Sequence, residues 1–144
     1  MRLLTLTLVF FSFTCFAQER LNLKSKTWHR IDKELQFQVV RVTDDSRCPE
    51  GARCVWAGQV HVEIEFDYKG IKDKVVFTPS HGLGKTVELV TFPIDDVTKK
   101  KNFLEGFQWK EKIYKLITVM PYPGKKEDEA YIFEISSSKQ ASDQ

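Results

Sequence analysis

"QVHVEIEFDYKGIKDKVVFT" (Gln59–Thr78) decides the fold. Val60, Val62, Ile64 and Phe66 alternate strictly with Gln59, His61, Glu63, Glu65 and Asp67. A period of two with one apolar and one polar face marks a half-buried antiparallel strand. Tyr68-Lys69-Gly70-Ile71 then supplies a turn in which Gly70 tolerates a positive φ, and "IKDKVVFT" returns as the partner strand. The stretch predicts a β-hairpin.

Further strands extend on both sides. In "LQFQVVRVTD" (35–44), Leu35, Phe37 and Val39 share one face before the parity switches to Val40 and Val42. Either both faces are covered there or a bulge shifts the register. "TVELVTF" (86–92), "KIYKLITVM" (112–120) and "AYIFEIS" (130–136) are rich in β-branched and aromatic residues. "NLKSKTWHRI" (22–31) is a weaker candidate for an edge strand. One helix is offered, in "IDDVTKKKNFLEG" (94–106), with Asp95 or Asp96 as its cap and Gly106 as its end; an irregular excursion is the alternative. About seven short strands separated by turn signals predict a single all-β domain over residues 18–136. The expected form is an antiparallel β-sandwich, immunoglobulin-like or similar, with a small β-barrel as the alternative. Residues 137–144 lack any apolar side chain larger than alanine and are expected to be disordered.

The first residues fit a leader. Met1-Arg2 precedes an apolar run from Leu3 to Phe13, too short to span a bilayer, and small residues at Cys15 and Ala17 suit cleavage after Ala17. Residues 1–17 are thus expected to be a signal peptide, and the protein to be exported, periplasmic or secreted. Lipid anchoring through Cys15 is the alternative. Without Arg2 the formal charge falls from +2 to +1, which argues against nucleic acid as a partner. If Cys15 leaves with the leader, Cys48 and Cys54 remain, an even number in an oxidising compartment, and they are expected to pair. His29, His61 and His81 have no ligand-like spacing, so no metal or other cofactor is expected.

The cysteines sit in "DSRCPEGARCVWAG" (45–58). Pro49 fixes one φ and Gly51 frees another, so the loop doubles back, and a bridge across its seven residues contributes ~2.4 kcal/mol in the chain-entropy model. Asp45 is placed for an Asx-type turn, and Arg47 for pairing with Asp44, Asp45 or Glu50. Gly58 suits a bulge or a close backbone approach. One reading is a braced strand crossover in which Trp56 covers the disulfide. The other makes Asp45, Arg47 and Trp56 a recognition patch, to which Tyr122 of Pro121-Tyr122-Pro123 adds a further candidate anchor. That patch requires Arg47, Trp56 and Tyr122 to lie exposed and close together.

The stretch resembles a family of uncharacterised bacterial secreted proteins and lipoproteins that share D-S-R-C-P-x-x-x-x-C-x-W-x-G. Here the motif reads Asp45-Ser46-Arg47-Cys48-Pro49, Cys54, Trp56 and Gly58, with a later "ITVMPYP" block (117–123) before the closing strand. The resemblance implies export and a small β-rich domain, and it carries no catalytic residue across. "GLGKT" (82–86) ends like a phosphate-binding loop, but Pro79 stands where the first glycine is needed. No nucleophile–base set is legible, so an enzyme is not expected. The leading expectation is a noncatalytic binding module at the cell envelope, with an extracellular or envelope protein or a glycan as partner. The alternatives are a secreted inhibitor of a protease or cell-wall hydrolase, and an enzyme with an unrecognised carboxylate site.

Overall fold

A computed structural model describes residues 19–79, 88–101, 103–125 and 128–137. The expected leader (1–17), the loop at 82–86 and the tail beyond Ser137 lie outside the described residues.

The chain is all-β. Its strands are β1 (Glu19–Leu23), β2 (His29–Arg30), β3 (Leu35–Asp45), β4 (Val60–Tyr68), β5 (Ile71–Phe77), β6 (Glu88–Val90), β7 (Leu104–Trp109), β8 (Lys112–Met120) and β9 (Ala130–Ser137), with one helical turn, α1 (Asp96–Lys99). They form one sheet in the order β1-β9-β8-β7-β5-β4-β3-β2, with β6 beside β7, nearly closed into a barrel. The arrangement is therefore the barrel alternative rather than two facing sheets. β1 and β2, the terminal strands of this order, are neighbours in sequence, and the segment between them hydrogen-bonds to β3 through Lys26 N–H and Val39 O (2.7 Å). The expected 22–31 edge strand is thus two short strands at the sheet's two ends.

The β4–β5 hairpin forms where the alternation places it. Lys69 (φ +52°) and Gly70 (φ +85°) make a two-residue turn with both φ angles positive, matching the right-handed twist of the strands. The parity switch in β3 is resolved by register shifts between Val39 and Arg41 and between Val42 and Asp44, as a bulged strand requires.

Residues 93–112 depart most from expectation. Asp95 does cap a helix, its carboxylate accepting from Thr98 N–H at 2.7 Å, but the helix ends after Lys99. Leu104–Trp109 is instead β7, with Leu104 and Phe107 both turned into the core. The expected 86–92 strand is reduced to Glu88–Val90 within the described residues, and β9 runs one residue further than expected, to Ser137. The core holds Phe37, Phe66, Phe77, Phe107 and Phe133, all fully buried, with Leu35, Val62, Ile64, Leu104 and Leu116 around them.

Asp32 fastens one end of the barrel. Its carboxylate accepts from the backbone N–H groups of Glu34 (2.8 Å) and Leu35 (3.0 Å), from Trp109 Nε1 (2.8 Å) and from Lys110 Nζ (2.5 Å). The turn before β3 is thereby tied to the β7–β8 hairpin. Lys110 first, and then the backbone donors, hold the Asp32 carboxyl well below the usual carboxylate range against a smaller effect of desolvation. A depressed folded-state value stabilises the fold above the unfolded carboxylate pKa of about 3.9 and stops doing so as acid reaches the folded value. Asp32→Asn is therefore expected to lower the urea midpoint at pH 7. The difference from wild type should shrink as the pH falls below about 4, measured by urea titrations across that range.

Candidate functional site

The 46–59 loop joins β3 to β4 and is latched at its base. Ser46 N–H donates to Gln59 O (2.8 Å), and Gln59 N–H donates to Ser46 Oγ (3.0 Å). Gly58 makes this closure possible: its φ is +67°, and a Cβ there would lie 1.9 Å from Ser46 O. Any side chain would push the two stems apart. The close approach expected at Gly58 is present.

Arg47 then turns inward. Its Nε and Nη2 donate in a fork to Asp45 Oδ1 (2.8 Å) and Oδ2 (2.7 Å), while its backbone N–H closes an Asx-type turn on Oδ1 (3.2 Å). Nη2 also reaches Pro121 O (2.9 Å), and Nη1 donates to Val119 O. The Tyr122 ring covers the guanidinium, 4.4 Å from Cζ to the ring centroid. Arg47 is left 5% exposed. Desolvation pushes the Asp45 carboxyl up, but the hydrogen bonds and charge of Arg47 outweigh it and leave the carboxyl below its ordinary value. The Asp45 bond in turn raises Arg47, against its own burial. One side chain thus binds the loop to the end of β8 and the Pro121–Pro123 turn.

Past this anchor the loop stands out. Cys48 and Cys54 are joined, with Cα atoms 5.9 Å apart, around a turn in which Ala52 N–H donates to Pro49 O (3.1 Å) and Gly51 takes φ +82°. Glu50 pairs with Lys125 across the gap to the 121–125 segment. Beyond the bridge, Val55 is 95% exposed and Trp56 is 72% exposed.

The expected patch is therefore divided. Asp45, Arg47 and Tyr122 do come together, but as an internal clamp. Arg47 is not an exposed anchor, because carboxylate, carbonyl and aromatic partners all draw it inward, and Tyr122 is half-buried against it. Trp56 remains outside. Residues 46–59 are loop, and Val55 and Trp56 are both exposed. The sequence named the carboxylates within reach of Arg47, but nothing in it signalled the Val119 and Pro121 carbonyls.

Carboxylates also converge at the opposite end, where Asp32, Glu34 and Asp67 line a groove of about 240 Å³. Each is occupied. Asp32 holds the donors described above, Glu34 pairs with Lys69 (3.4 Å), and Asp67 accepts from Gln36 Nε2 (3.1 Å) and Gly70 N–H (3.0 Å). A general acid at neutral pH needs a raised carboxyl, and Asp32 is depressed. Among the described residues no group of three or more His, Cys, Asp or Glu side chains is placed to hold a metal, and no helix is long and apolar enough to cross a membrane. Comparison with protein families, with curated proteins and with solved structures finds no match.

Proposed function

We propose that this protein is an exported, noncatalytic binding module that grips a protein partner at the cell envelope through the tip of the 46–59 loop. The disulfide and the lack of a membrane-spanning helix among the described residues are compatible with export. The observation that carries the reading is the exposure of Val55 and Trp56 on a loop held by a disulfide, a backbone latch and the Arg47 clamp. A large apolar side chain on a pre-organised loop binds without the cost of ordering that loop, and tryptophan is among the residues most enriched at interface hot spots.

A photo-crosslinking residue placed at position 55, applied to envelope extract, should trap a discrete partner, whereas the same residue at Val97, another exposed valine, on α1, should not. Trp56→Ala is expected to weaken binding of the purified partner by about 2 kcal/mol, roughly thirtyfold. Unchanged affinity would refute the loop-tip reading. The inhibitor alternative is favoured by the same protruding, covalently braced shape, which suits insertion into a cleft. It requires the trapped partner to be a hydrolase that the wild-type protein slows and Trp56→Ala does not.

A further inference from the structure

We propose that a second surface, the outward groove bounded by Asp44, Gln59, His61, Val76 and Phe103, binds a neutral oligosaccharide. The outer face of β3–β4–β5 is zipped by polar pairs along most of its length. Glu63 pairs with Arg41 (3.0 Å) and Lys74 (3.2 Å), Glu65 accepts from Gln38 (2.6 Å), and Asp67 accepts from Gln36 (3.1 Å). This pattern stops where the second register shift in β3 brings Asp44 opposite His61. Among the described residues the exposed Asp44 carboxylate has no hydrogen-bond or ion-pair partner, and the Gln59 side-chain amide has none either; the backbone of Gln59 latches the loop.

His61 is oriented rather than loose. Its Nδ1 lies 2.8 Å from Thr78 Oγ1, and Thr43 Oγ1 donates to its backbone carbonyl (3.2 Å). Nε2 remains as the ring's other polar site. Carboxylate, amide and imidazole together offer acceptors and donors around a cavity of about 480 Å³, a size usual for small-molecule sites. Phe103, 62% exposed, and Val76 supply an apolar surface beside them. Adjacent hydroxyls that donate and accept, on a ring whose C–H face is apolar, match that combination. A phosphate or sulfate does not, because Asp44 would repel it and no lysine or arginine is among the described residues that line the groove.

This site is separate from the loop tip, so its test is independent of the partner assay. Maltose, cellobiose and N,N′-diacetylchitobiose are titrated into the full exported chain by calorimetry and by saturation-transfer NMR. At least one should bind with a Kd of about 1 mM or tighter. Phe103→Ala and Asp44→Asn should each weaken it about tenfold or more, while Trp56→Ala leaves it unchanged. Both groove positions are exposed, and urea midpoints like wild type would show that the variants fold. The proposal is overturned if none of the three sugars binds at about 10 mM, if binding survives in the Phe103→Ala/Asp44→Asn double variant, or if Trp56→Ala abolishes it. It is also overturned if the groove substitutions release the crosslinked protein partner instead, which would make the groove part of that interface.

Discussion

Arg47→Ala is expected to lower the unfolding free energy by about 3 kcal/mol, the lower part of the range for breaking a buried ion pair by removing one member. The Asp45 side chain is still 23% exposed and can recover some water, which moderates the loss. The Val119 and Pro121 carbonyls lose a charged donor, and Tyr122 loses the cation beneath its ring. Arg47→Lys should recover only part, because one ammonium cannot reproduce the fork to both Asp45 oxygens while also reaching two carbonyls. The pH profile separates this account from simple loss of packing. In wild type, Arg47 holds the Asp45 carboxyl below its ordinary value, so Asp45 contributes stability above about pH 4 that is lost as the pH falls. In Arg47→Ala the side-chain bonds and the charge are gone, and desolvation, which pushes the carboxyl up, is opposed only by the backbone N–H of residue 47. Most of the neutral-pH contribution therefore disappears, and the loss relative to wild type should be smaller in acid. Urea denaturation at pH 7 and pH 3 measures both. A variant as stable as wild type at pH 7 would show that the loop does not depend on the clamp.

The clamp and the loop tip differ in how far the sequence exposes them. The Asx-type turn, the Asp45 partnership, the disulfide and the need for glycine at position 58 are local, set by residues within about a dozen positions, and each was legible. The burial of Arg47 was not, because two of its acceptors lie more than seventy positions away at the end of β8. The same distinction governs the fold. The β4–β5 hairpin could be read because its alternation is unbroken and its turn carries Lys69-Gly70. Whether the strands make two facing sheets or one rolled sheet depends on strand order, and no local pattern encodes that β1 and β2 lie at opposite ends of it. The groove combines both cases. The wet face of β4 predicts His61 outside, but the approach of Phe103 follows from β7, which the sequence conceals.

β7 is concealed because its inward residues, Leu104 and Phe107, are three apart, a helical spacing, and follow a genuine helix cap at Asp95. The break in strand parity accompanies a close approach to β8, where a Cβ on Gly106 would lie 2.1 Å from Tyr114 O. Phe107→Ala is therefore a test of the architecture. A helix ending at Gly106 would leave Phe107 in a connecting turn, and its truncation would cost little. In the barrel its ring meets Phe37 (5.1 Å), Phe66 (5.0 Å), Phe77 (6.5 Å), Phe92 (6.2 Å), Tyr114 (4.7 Å) and Phe133 (6.4 Å) between centroids. Those rings come from β3, β4, β5, β8, β9 and the segment before α1, so they have little freedom to close over the void together. The expected loss is about 4 kcal/mol, near the middle of the range for burying no ring where phenylalanine stood. Phe107→Leu, which keeps most of the volume, should cost about 1.5 kcal/mol or less. Phe103→Ala, four residues earlier but 62% exposed, should stay within about 0.5 kcal/mol of wild type. Urea midpoints for the three variants give that order directly. If Phe107→Ala were as mild as Phe103→Ala, β7 would not lie between β5 and β8, and the barrel would lose the strand that joins its two halves.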